Sequence, residues 1–270
     1  MLVSVVLPVR NGERYLQQAL DSVLAQTYRK LEVVVVDDGS ADSTPTILER
    51  YDDPRLRMVR QQPSGLVVAL ARGVTEARGE LIALMDADDV SLPRRLERQL
   101  ELLARDEGTG LVGCGIETID EQGRATGSWL LPPDDNALRR RLLLRNLFTH
   151  GSVVMRRSAL ERAGGYRDDY GANEDYDLWR RIAREWRLAA VPELLYRYRE
   201  HPSAVTKKDV TARVAARERL RDELWRDDAL LRALPGERDR TEARALAHEA
   251  FRRRRYRVAL RALADVARSA

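Results

Sequence analysis

The stretch 31-LEVVVVDDGS-40 decides the fold of this chain. Its first six residues are mostly valine, a pattern typical of a strand that is buried on both faces of a sheet. The strand stops at the acid pair Asp37-Asp38. Similar runs lie at 3–9 and 81–85, and the second of these ends in Asp86-Ala87-Asp88-Asp89. Strands buried on both faces predict a mostly parallel central sheet.

Helical patterns separate these strands. Apolar residues recur at helical spacing from Tyr15 to Leu24, and Pro45 lies in the first turn of a helix that Ser43 is expected to cap. This alternation predicts βαβ units, and therefore an α/β fold with helices flanking the sheet. The same reasoning predicts strands at 56–60, 111–116 and 153–155, helices at 66–77, 93–104 and 174–187, a hairpin and loop at 117–133, and an edge strand at 194–198.

The charge of the chain is uneven. The net charge is +4, but residues 205–270 contain 18 Lys and Arg against 11 Asp and Glu, a net charge of +7. We therefore divide the chain into a body at 1–204, with halves at 1–110 and 111–204, and a basic helical tail at 205–270. A nucleic-acid binder would carry positive charge across its working face, so we expect no nucleic-acid partner.

The tail allows two interpretations. Arg252 to Arg255, with Phe251 and Tyr256, would suit peripheral contact with an anionic membrane surface. The interpretation that we favour is a solvated helix whose Leu246, Leu260 and Leu263 pack on the body. No window approaches ~18 apolar residues, so we expect a cytoplasmic chain, at most peripheral at the inner face of the membrane. The lone Cys114 is expected in the core.

Two acidic clusters mark a candidate site. Asp37-Asp38 and Asp86-Ala87-Asp88-Asp89 each follow a buried strand, and ligands of open parallel sheets bind beyond the carboxyl ends of the strands. One such aspartate is more often a helix cap, but two clusters on one sheet favour a site. Asp86 and Asp88 point the same way if extended. Oxygen ligands of this kind suit Mg²⁺ or Mn²⁺ bound to a nucleoside diphosphate.

A third cluster, Asn173-Glu174-Asp175-Tyr176-Asp177, begins a predicted helix. Acids in a first turn are common because they complement the helix dipole, so a structural role and a role in a site both stay open. The dipole would stabilise the ionised form of Asp175, whereas burial beside Glu174 would oppose it. The tryptophans of this helix, Trp179 and Trp186, are expected in the core.

The chain resembles the family 2 glycosyltransferases, which have the GT-A fold. The resemblance runs from Val3 to about Ser203 and is carried by an ordered set of segments: VSVVLPVRNGERYLQQALDSVLAQTY, LEVVVVDDGSADST, GELIALMDADD, LFTHGSVVMRRSALERAGGY, NEDYDLWRRIA and LLYRYREHPSAVT.

Membership would make residues 1–204 a GT-A catalytic domain, with a nucleotide-sugar-binding half at 1–110 and an acceptor-binding half at 111–204. It would also give individual residues roles. Pro8, Arg10, Asp38 and Asp86 would bind the nucleotide, and Asp88 and Asp89 the divalent metal. Asp175 would be the general base of the acceptor hydroxyl, with Glu174 beside it in the catalytic pair. His150 and His201 fall in matching segments near the active site, as substrate contacts or as structural hydrogen-bonding residues.

The resemblance implies an inverting, Mn²⁺- or Mg²⁺-dependent enzyme with a UDP-linked sugar donor and a saccharide or lipid-linked acceptor, in polysaccharide, O-antigen or glycolipid synthesis. Arg10 replaces a common aromatic residue, and Leu70-Ala71 replaces a polar pair, so altered donor contacts are expected. An inactive sugar-nucleotide binder and a receiver-like signalling domain are the alternatives. The sequence leaves open whether the chain forms a homodimer.

Overall fold

The computed structural model describes residues 1–171, 173–204, 207, 210–226, 240–255, 257–260 and 262. Strands and helices alternate through the first hundred residues, as the hydrophobic pattern predicts. The strands are β1 (Val3–Val9), β2 (Leu31–Asp38), β3 (Leu56–Gln61), β4 (Leu81–Leu84), β5 (Val90–Ser91), β6 (Thr109–Ile119), β7 (Ala125–Trp129), β8 (Val154–Arg156) and β9 (Arg187–Arg199). The helices are α1 (Leu16–Leu24), α2 (Thr44–Leu48), α3 (Leu66–Glu76), α4 (Arg95–Arg105), α5 (Asp135–Leu144), α6 (Arg157–Arg162), α7 (Glu174–Ile182), α8 (Val210–Leu224) and α9 (Arg240–Arg252).

The strands form one sheet in the order β3-β2-β1-β4-β8-β6-β9-β5, and β7 pairs with β6. The first four strands are parallel to one another, and β6 is parallel to β9. Strand β8 is antiparallel to both of its neighbours and so joins the two parallel groups. The predicted α/β class, with a mostly parallel sheet and flanking helices, is confirmed.

Both faces of the central strands are covered. Val6, Val34 and Val36 belong to one apolar cluster, whereas Val5 and Val33 on the alternate positions belong to a second cluster on the other face. Burial on both faces explains why these strands are apolar at nearly every position rather than at every second one. The carboxyl ends of β1, β2 and β4 therefore open at one edge of the sheet.

Strand β9 differs from the edge strand predicted at 194–198. It is 13 residues long and lies between β6 and β5. The register shifts between the pairs Cys114–Val191 and Gly115–Leu194, so Pro192, which has no amide N–H to donate, falls in an irregularity. Correspondingly, α7 ends at Ile182 and not at about 187. The predicted cap of α2 is also absent, because Ser43 makes no side-chain capping bond.

The described part of the tail packs on the body. Trp225 is 1% exposed, and its Nε1 donates to the carbonyl of Leu143 in α5 at 3.2 Å. Leu246 is buried as predicted, but Leu260 is 67% exposed, so that prediction was wrong. Leu263 lies outside the described residues. The division of the chain at 204 stays a prediction.

The arginine run of the tail is partly neutralised. Arg252 and Arg253 both form ion pairs with Glu249 and Glu218, and Tyr256 lies outside the described residues. Among the helices described, none has the length and apolar character needed to span a bilayer.

Candidate active site

Asp86, directly after β4, is held by two donors. Its Oδ1 lies 2.8 Å from Nδ1 of His150, and its Oδ2 accepts the backbone N–H of Gly151 at 3.0 Å. The Nε2 of His150 lies 3.3 Å from the hydroxyl of Tyr166. Burial alone would lower the pKa of His150, but the charge and hydrogen bond of Asp86, with Asp175 and Glu174 nearby, raise it to about 9. His150 is therefore protonated at neutral pH and forms an ion pair with Asp86.

Asp88 is the most exposed acid of this cluster, with 35% of its side chain accessible. Its Oδ2 lies 2.9 Å from Nε2 of His201, whose Nδ1 lies 2.8 Å from the hydroxyl of Ser203. Burial and the neighbouring Asp86 raise the pKa of Asp88, and the His201 contact opposes this shift. Each histidine singled out in the sequence thus contacts one acid of the D-x-D segment.

Asp89 points into the protein. It is 1% exposed, and its Oδ1 accepts the backbone N–H of Arg199 at 2.7 Å. Its Oδ2 is buried and makes no well-formed hydrogen bond within the described structure. Burial, followed by the charges of Asp88 and Asp86, raises the pKa of Asp89 well above its usual value. Asp89 is therefore an interior residue beneath the site, whereas Asp88 faces its opening.

The floor of the site is closely packed. The hydroxyl of Tyr196 accepts the backbone N–H of Asp86 at 3.3 Å. Arg95 is fully buried beneath it, lies 5.3 Å from the Tyr196 ring centroid, and donates to the carbonyls of Leu84 and Gly151. A Cβ at Gly151 would overlap the Tyr196 hydroxyl. Only glycine fits beside Asp86 at this position.

The third acidic cluster faces the same site. Glu174 and Asp175 begin α7, and the electrostatic influence of Asp86 and His150 reaches both of them. Burial and then the charge of Asp175 raise the pKa of Glu174 to about 7. The carboxylate of Asp175 accepts a hydrogen bond from the side-chain amide Nδ2 of Asn146 at 2.7 Å. Burial also raises the pKa of Asp175, against the influence of His150 and Asn146.

The remaining acid of this segment is structural. Asp177 is fully buried and forms ion pairs with Arg180 at 2.9 Å and Arg181 at 2.6 Å. Arg180 also binds Glu223 of α8 at 2.8 Å, and Trp179 is buried in the core. Asp177 therefore has a structural role, and the prediction that Trp179 lies in the core is confirmed.

The end of the sheet predicted to bind the base is formed by β1 and β2. Pro8 is buried within β1 beside Val36, and Arg10 is exposed just beyond its end. The carboxylate of Asp38 is occupied by its own chain, because it accepts Ser64 N at 2.8 Å, Gly65 N at 2.9 Å and the Gln61 side chain at 2.8 Å. It thereby fixes residues 64–65, which directly precede α3.

An open pocket lies next to Asp38. It is lined by Asp37, Gly39, Ser40, Arg60, Gln61 and Gln62. Asp37 is bridged by Arg60 at 3.5 Å and accepts Ser40 N at 2.9 Å. Leu70, which replaces a polar residue of the family pattern, is fully buried and does not line this pocket.

The donor set suits a hard divalent cation. The cluster offers the carboxylate oxygens of Asp86 and Asp88, both partly accessible at the opening of the site. No group of three or more His, Cys, Asp or Glu side chains is gathered as a complete cage in the part of the chain that the structure describes. Mg²⁺ and Mn²⁺ fit such a site when one or two carboxylates bind them and phosphates and water complete the shell.

The structure brings Asp86, Asp88, Asp89, His150, His201, Glu174 and Asp175 to one edge of the sheet and leaves Pro8, Arg10 and Asp38 at the ends of β1 and β2. Sequence reasoning missed Arg199, Tyr196, Asn146 and Arg95. Of these, Arg199 and Tyr196 stand in the segment LLYRYREHPSAVT that carries the resemblance, and their position was the only available signal.

The sequence of the chain is similar to those of known glycosyltransferases. The sequence model described as Glycosyl transferase family 2 matches residues 4–164. EpsE of Bacillus subtilis, which carries a provisional glycosyltransferase assignment, is 33% identical over 218 residues, covering 77% of each chain. The O-antigen biosynthesis glycosyltransferase WbnJ of Escherichia coli is 32% identical over 212 residues, covering 76% of this chain and 82% of WbnJ. The chain spans 66% of the length of an uncharacterized glycosyltransferase of Rickettsia typhi.

Solved structures share the fold. TarS 1-349 of S. aureus in complex with UDP-GlcNAc superposes with a TM-score of 0.66 at 19% identity, covering 94% of this chain and 72% of TarS. The mannosyltransferase PcManGT of Pyrobaculum calidifontis, in complex with GDP-Man and Mn²⁺, gives 0.61 at 24% identity, covering 99% and 86%. The predicted GT-A fold is thus confirmed.

Proposed function

The chain belongs to glycosyl transferase family 2, and we propose that it is an inverting enzyme that transfers a sugar from a nucleoside-diphosphate donor to an acceptor hydroxyl. One observation carries the proposal: Glu174 and Asp175, at the start of α7, share an electrostatic environment with Asp86 and His150 after β4. The candidate base thus lies within electrostatic range of the candidate donor site, where Asp86 contacts His150 at 2.8 Å.

Asp175 is the proposed general base. Its carboxylate is oriented by the Asn146 side chain, and burial raises its pKa, so it accepts a proton more readily than an exposed aspartate. It would take the proton of the acceptor hydroxyl while that oxygen attacks the anomeric carbon of the donor. The bond from this carbon to the diphosphate breaks on the opposite side, and the configuration inverts.

Asp88 is the proposed residue for binding Mn²⁺ or Mg²⁺, because it is the exposed acid of the cluster and Asp89 is turned inward. A cation bound there supplies charge neutralisation to the leaving diphosphate. His201 holds the Asp88 carboxylate on one oxygen, and His150 with Gly151 holds Asp86, which is proposed to contact the ribose.

The donor is proposed to carry UDP. Support comes from TarS, which shares the fold and was solved in complex with UDP-GlcNAc. A GDP-linked donor is the second candidate, because PcManGT was solved with GDP-Man and is the more similar in sequence. Arg10 and the Asp37–Arg60 pair are the side chains of this chain that would distinguish the bases.

The acceptor is proposed to be a saccharide or lipid-linked saccharide in polysaccharide or O-antigen synthesis, as the similarity to the O-antigen biosynthesis glycosyltransferase WbnJ supports. A lipid-linked acceptor would bring the tail to a membrane, where Phe251 (67% exposed) and Leu260 would contact lipid. Sedimentation with anionic liposomes tests this contact: Phe251→Ser should reduce binding of the full chain, and wild-type protein that does not bind them contradicts it.

The test of the function is release of nucleoside diphosphate from UDP-, GDP- and dTDP-sugars, with a panel of saccharide acceptors and with Mn²⁺ or EDTA. Turnover of one donor that requires the metal and is lost in Asp88→Ala supports the proposal, and NMR of the product reports the anomeric configuration. Nucleotide binding without turnover under any condition would favour the inactive binder. Absence of both contradicts the donor site.

A further inference from the structure

Arg199, the last residue of β9, joins three segments of the chain. It is 2% exposed. Its Nε donates to the carbonyl of Asp88 at 2.8 Å, Nη1 to the carbonyl of Asp120 at 3.0 Å, and Nη2 to Oε1 of Gln18 at 2.6 Å. Its backbone N–H donates to Asp89 as described above. One guanidinium thus connects the D-x-D segment, the turn between β6 and β7, and helix α1.

A second path reaches Asp88 through aromatic rings. The Arg199 guanidinium carbon lies 4.5 Å from the ring centroid of Tyr15, a cation–π distance. The Tyr15 ring in turn lies 5.3 Å from the ring of His201, which contacts the Asp88 carboxylate. Asp88 is therefore held at its main chain by Arg199 and at its side chain by His201, and both partners contact Tyr15.

The β6–β7 turn has few other anchors. Asp120 closes the turn internally by accepting the N–H groups of Gln122 and Arg124. Its connections to the body include Arg199 and the ion pair between Glu121 and Arg14 at 2.6 Å, in which the Arg14 side chain is 57% exposed. Exposed ion pairs contribute little stability, so the buried Arg199 bonds set the position of the turn.

We propose that Arg199 is a positioning residue that fixes Asp88 for a divalent cation and holds the 120–124 turn against it. The inference rests on the proposed use of a cation at Asp88. A planar guanidinium donates in three directions at once, which the single ammonium group of lysine does not reproduce. Loosening Arg199 should therefore release the Asp88 segment and the turn together.

Arg157 supplies a matched control. Its guanidinium likewise donates in three directions, here to the backbone carbonyls of Gly79, Val74 and Ala77 at 2.8, 3.2 and 2.7 Å. None of these belongs to the candidate site. Arg157→Lys thus removes the same kind of contacts as Arg199→Lys without touching the D-x-D segment, and it separates positioning from general stability.

The experiment measures two quantities on wild-type, Arg199→Lys and Arg157→Lys full-length chains. The first is the affinity for Mn²⁺ alone, from the electron paramagnetic resonance signal of the free ion. The second is hydrogen exchange of backbone amides at 86–90 and 120–124. We expect Arg199→Lys to weaken Mn²⁺ binding by about 10-fold or more, because such outer partners of metal ligands affect affinity to this degree. The amides of both segments should exchange faster in Arg199→Lys than in wild type. In Arg157→Lys their exchange rates should equal those of wild type.

Equal Mn²⁺ affinity and equal exchange in Arg199→Lys and wild type would overturn the proposal. If wild-type protein does not bind Mn²⁺, the cation at Asp88 is refuted as part of the proposed function, and exchange at the two segments still decides whether Arg199 positions them. If Arg199→Lys does not fold, Tyr15→Leu replaces it: faster exchange at 86–90 supports the network, and unchanged exchange refutes it.

Discussion

Nδ1 of His150 lies 2.8 Å from Oδ1 of Asp86, in a contact where the histidine side chain is 12% exposed. Burial acts to discharge the imidazole, yet the carboxylate prevails and raises the pKa of His150 to about 9. As pH rises, the unfolded chain, in which the pKa of His150 has its ordinary value of 6.5, loses the imidazole proton at a lower pH than the folded chain does.

This proton links stability to pH. A raised pKa in the folded state contributes stability that is fully present below about pH 6.5 and is lost as pH rises through about 9. We therefore expect His150→Gln to destabilise the protein by roughly 2–4 kcal/mol at pH 6 and by much less at pH 9.5. Urea unfolding of both proteins at the two pH values measures the difference; a difference that does not change with pH contradicts the ion pair.

The acid pair of α7 should control the acid side of the activity profile. Replacing Asp175 by Asn removes the proposed base and should reduce kcat by about 10²–10⁴-fold. Glu174→Gln removes a neighbouring negative charge, so the pKa that governs the acid limb should fall and activity should persist to lower pH. Measuring kcat/KM from pH 5 to 9 distinguishes the two. Equal activity of Asp175→Asn and wild type would refute the assignment of the base.

Gly151 leaves no room for a side chain. Gly151→Ala should displace the Tyr196 hydroxyl or the Asp86 backbone, destabilise the protein by about 1–3 kcal/mol and abolish most donor binding. The control is Gly127→Ala on exposed β7, where the added Cβ meets only the Thr118 hydroxyl. Thermal unfolding and nucleotide titration of both variants check this. If Gly151→Ala binds the donor as tightly as wild type does, the residues around Gly151 can shift to accommodate a side chain, and the prediction is wrong.

Asp88 and Asp89 should respond differently to loss of charge. Asp88→Asn should weaken Mn²⁺ binding and leave the melting temperature unchanged. Asp89→Asn keeps an acceptor for the Arg199 N–H and removes a buried carboxylate whose pKa is raised. It should therefore not lower the melting temperature at pH 8. Calorimetry of the two variants, with and without Mn²⁺, measures both effects; a marked loss of stability in Asp89→Asn would show that its charge is needed in the fold.

Substitutions of Trp225 test how strongly the tail is attached to the body. Trp225→Ala should cost about 3–5 kcal/mol, because it leaves a cavity between α8 and α5. Trp225→Phe keeps most of the volume and loses only the Nε1 bond to Leu143, at about 1 kcal/mol. Denaturant unfolding should show one cooperative transition in all three proteins. A separate, earlier transition in the wild-type chain would mean that the tail unfolds independently.

The elements predicted well are those whose surroundings repeat along the chain. Burial on both faces makes β1, β2 and β4 apolar throughout, and their junctions with Asp37 and Asp86 are abrupt, so both strands and acids stand out. Strand β9 was underestimated because Pro192 interrupts it and charged residues end it. The pairing with β6 that absorbs Pro192 is a property of the sheet and leaves no local pattern.

The site was predictable where residue types carry the chemistry and hidden where the backbone does. Carboxylates after strands indicated a cation and a diphosphate. The partners of Arg199 and Arg95 are mainly carbonyl oxygens, which every residue possesses, so no sequence pattern marks them. Asp38 anchors residues 64–65 before α3, a contact that the motif does not reveal, and its binding to the base stays a prediction.

Helix α8 supports α7 through its backbone as well as through the ion pair of Glu223 with Arg180. Asn173, the residue before Glu174, donates to the carbonyl of Arg213 in α8 at 3.2 Å, and Trp225 likewise ends on a carbonyl of α5. Every residue supplies a backbone carbonyl, so the position of this acceptor depends on the path of the helix and not on the side chain at 213. Position 213 is thus free to diverge between relatives while this backbone support of α7 is retained, whereas an exchanged tail would also need an acid at position 223 to pair with Arg180.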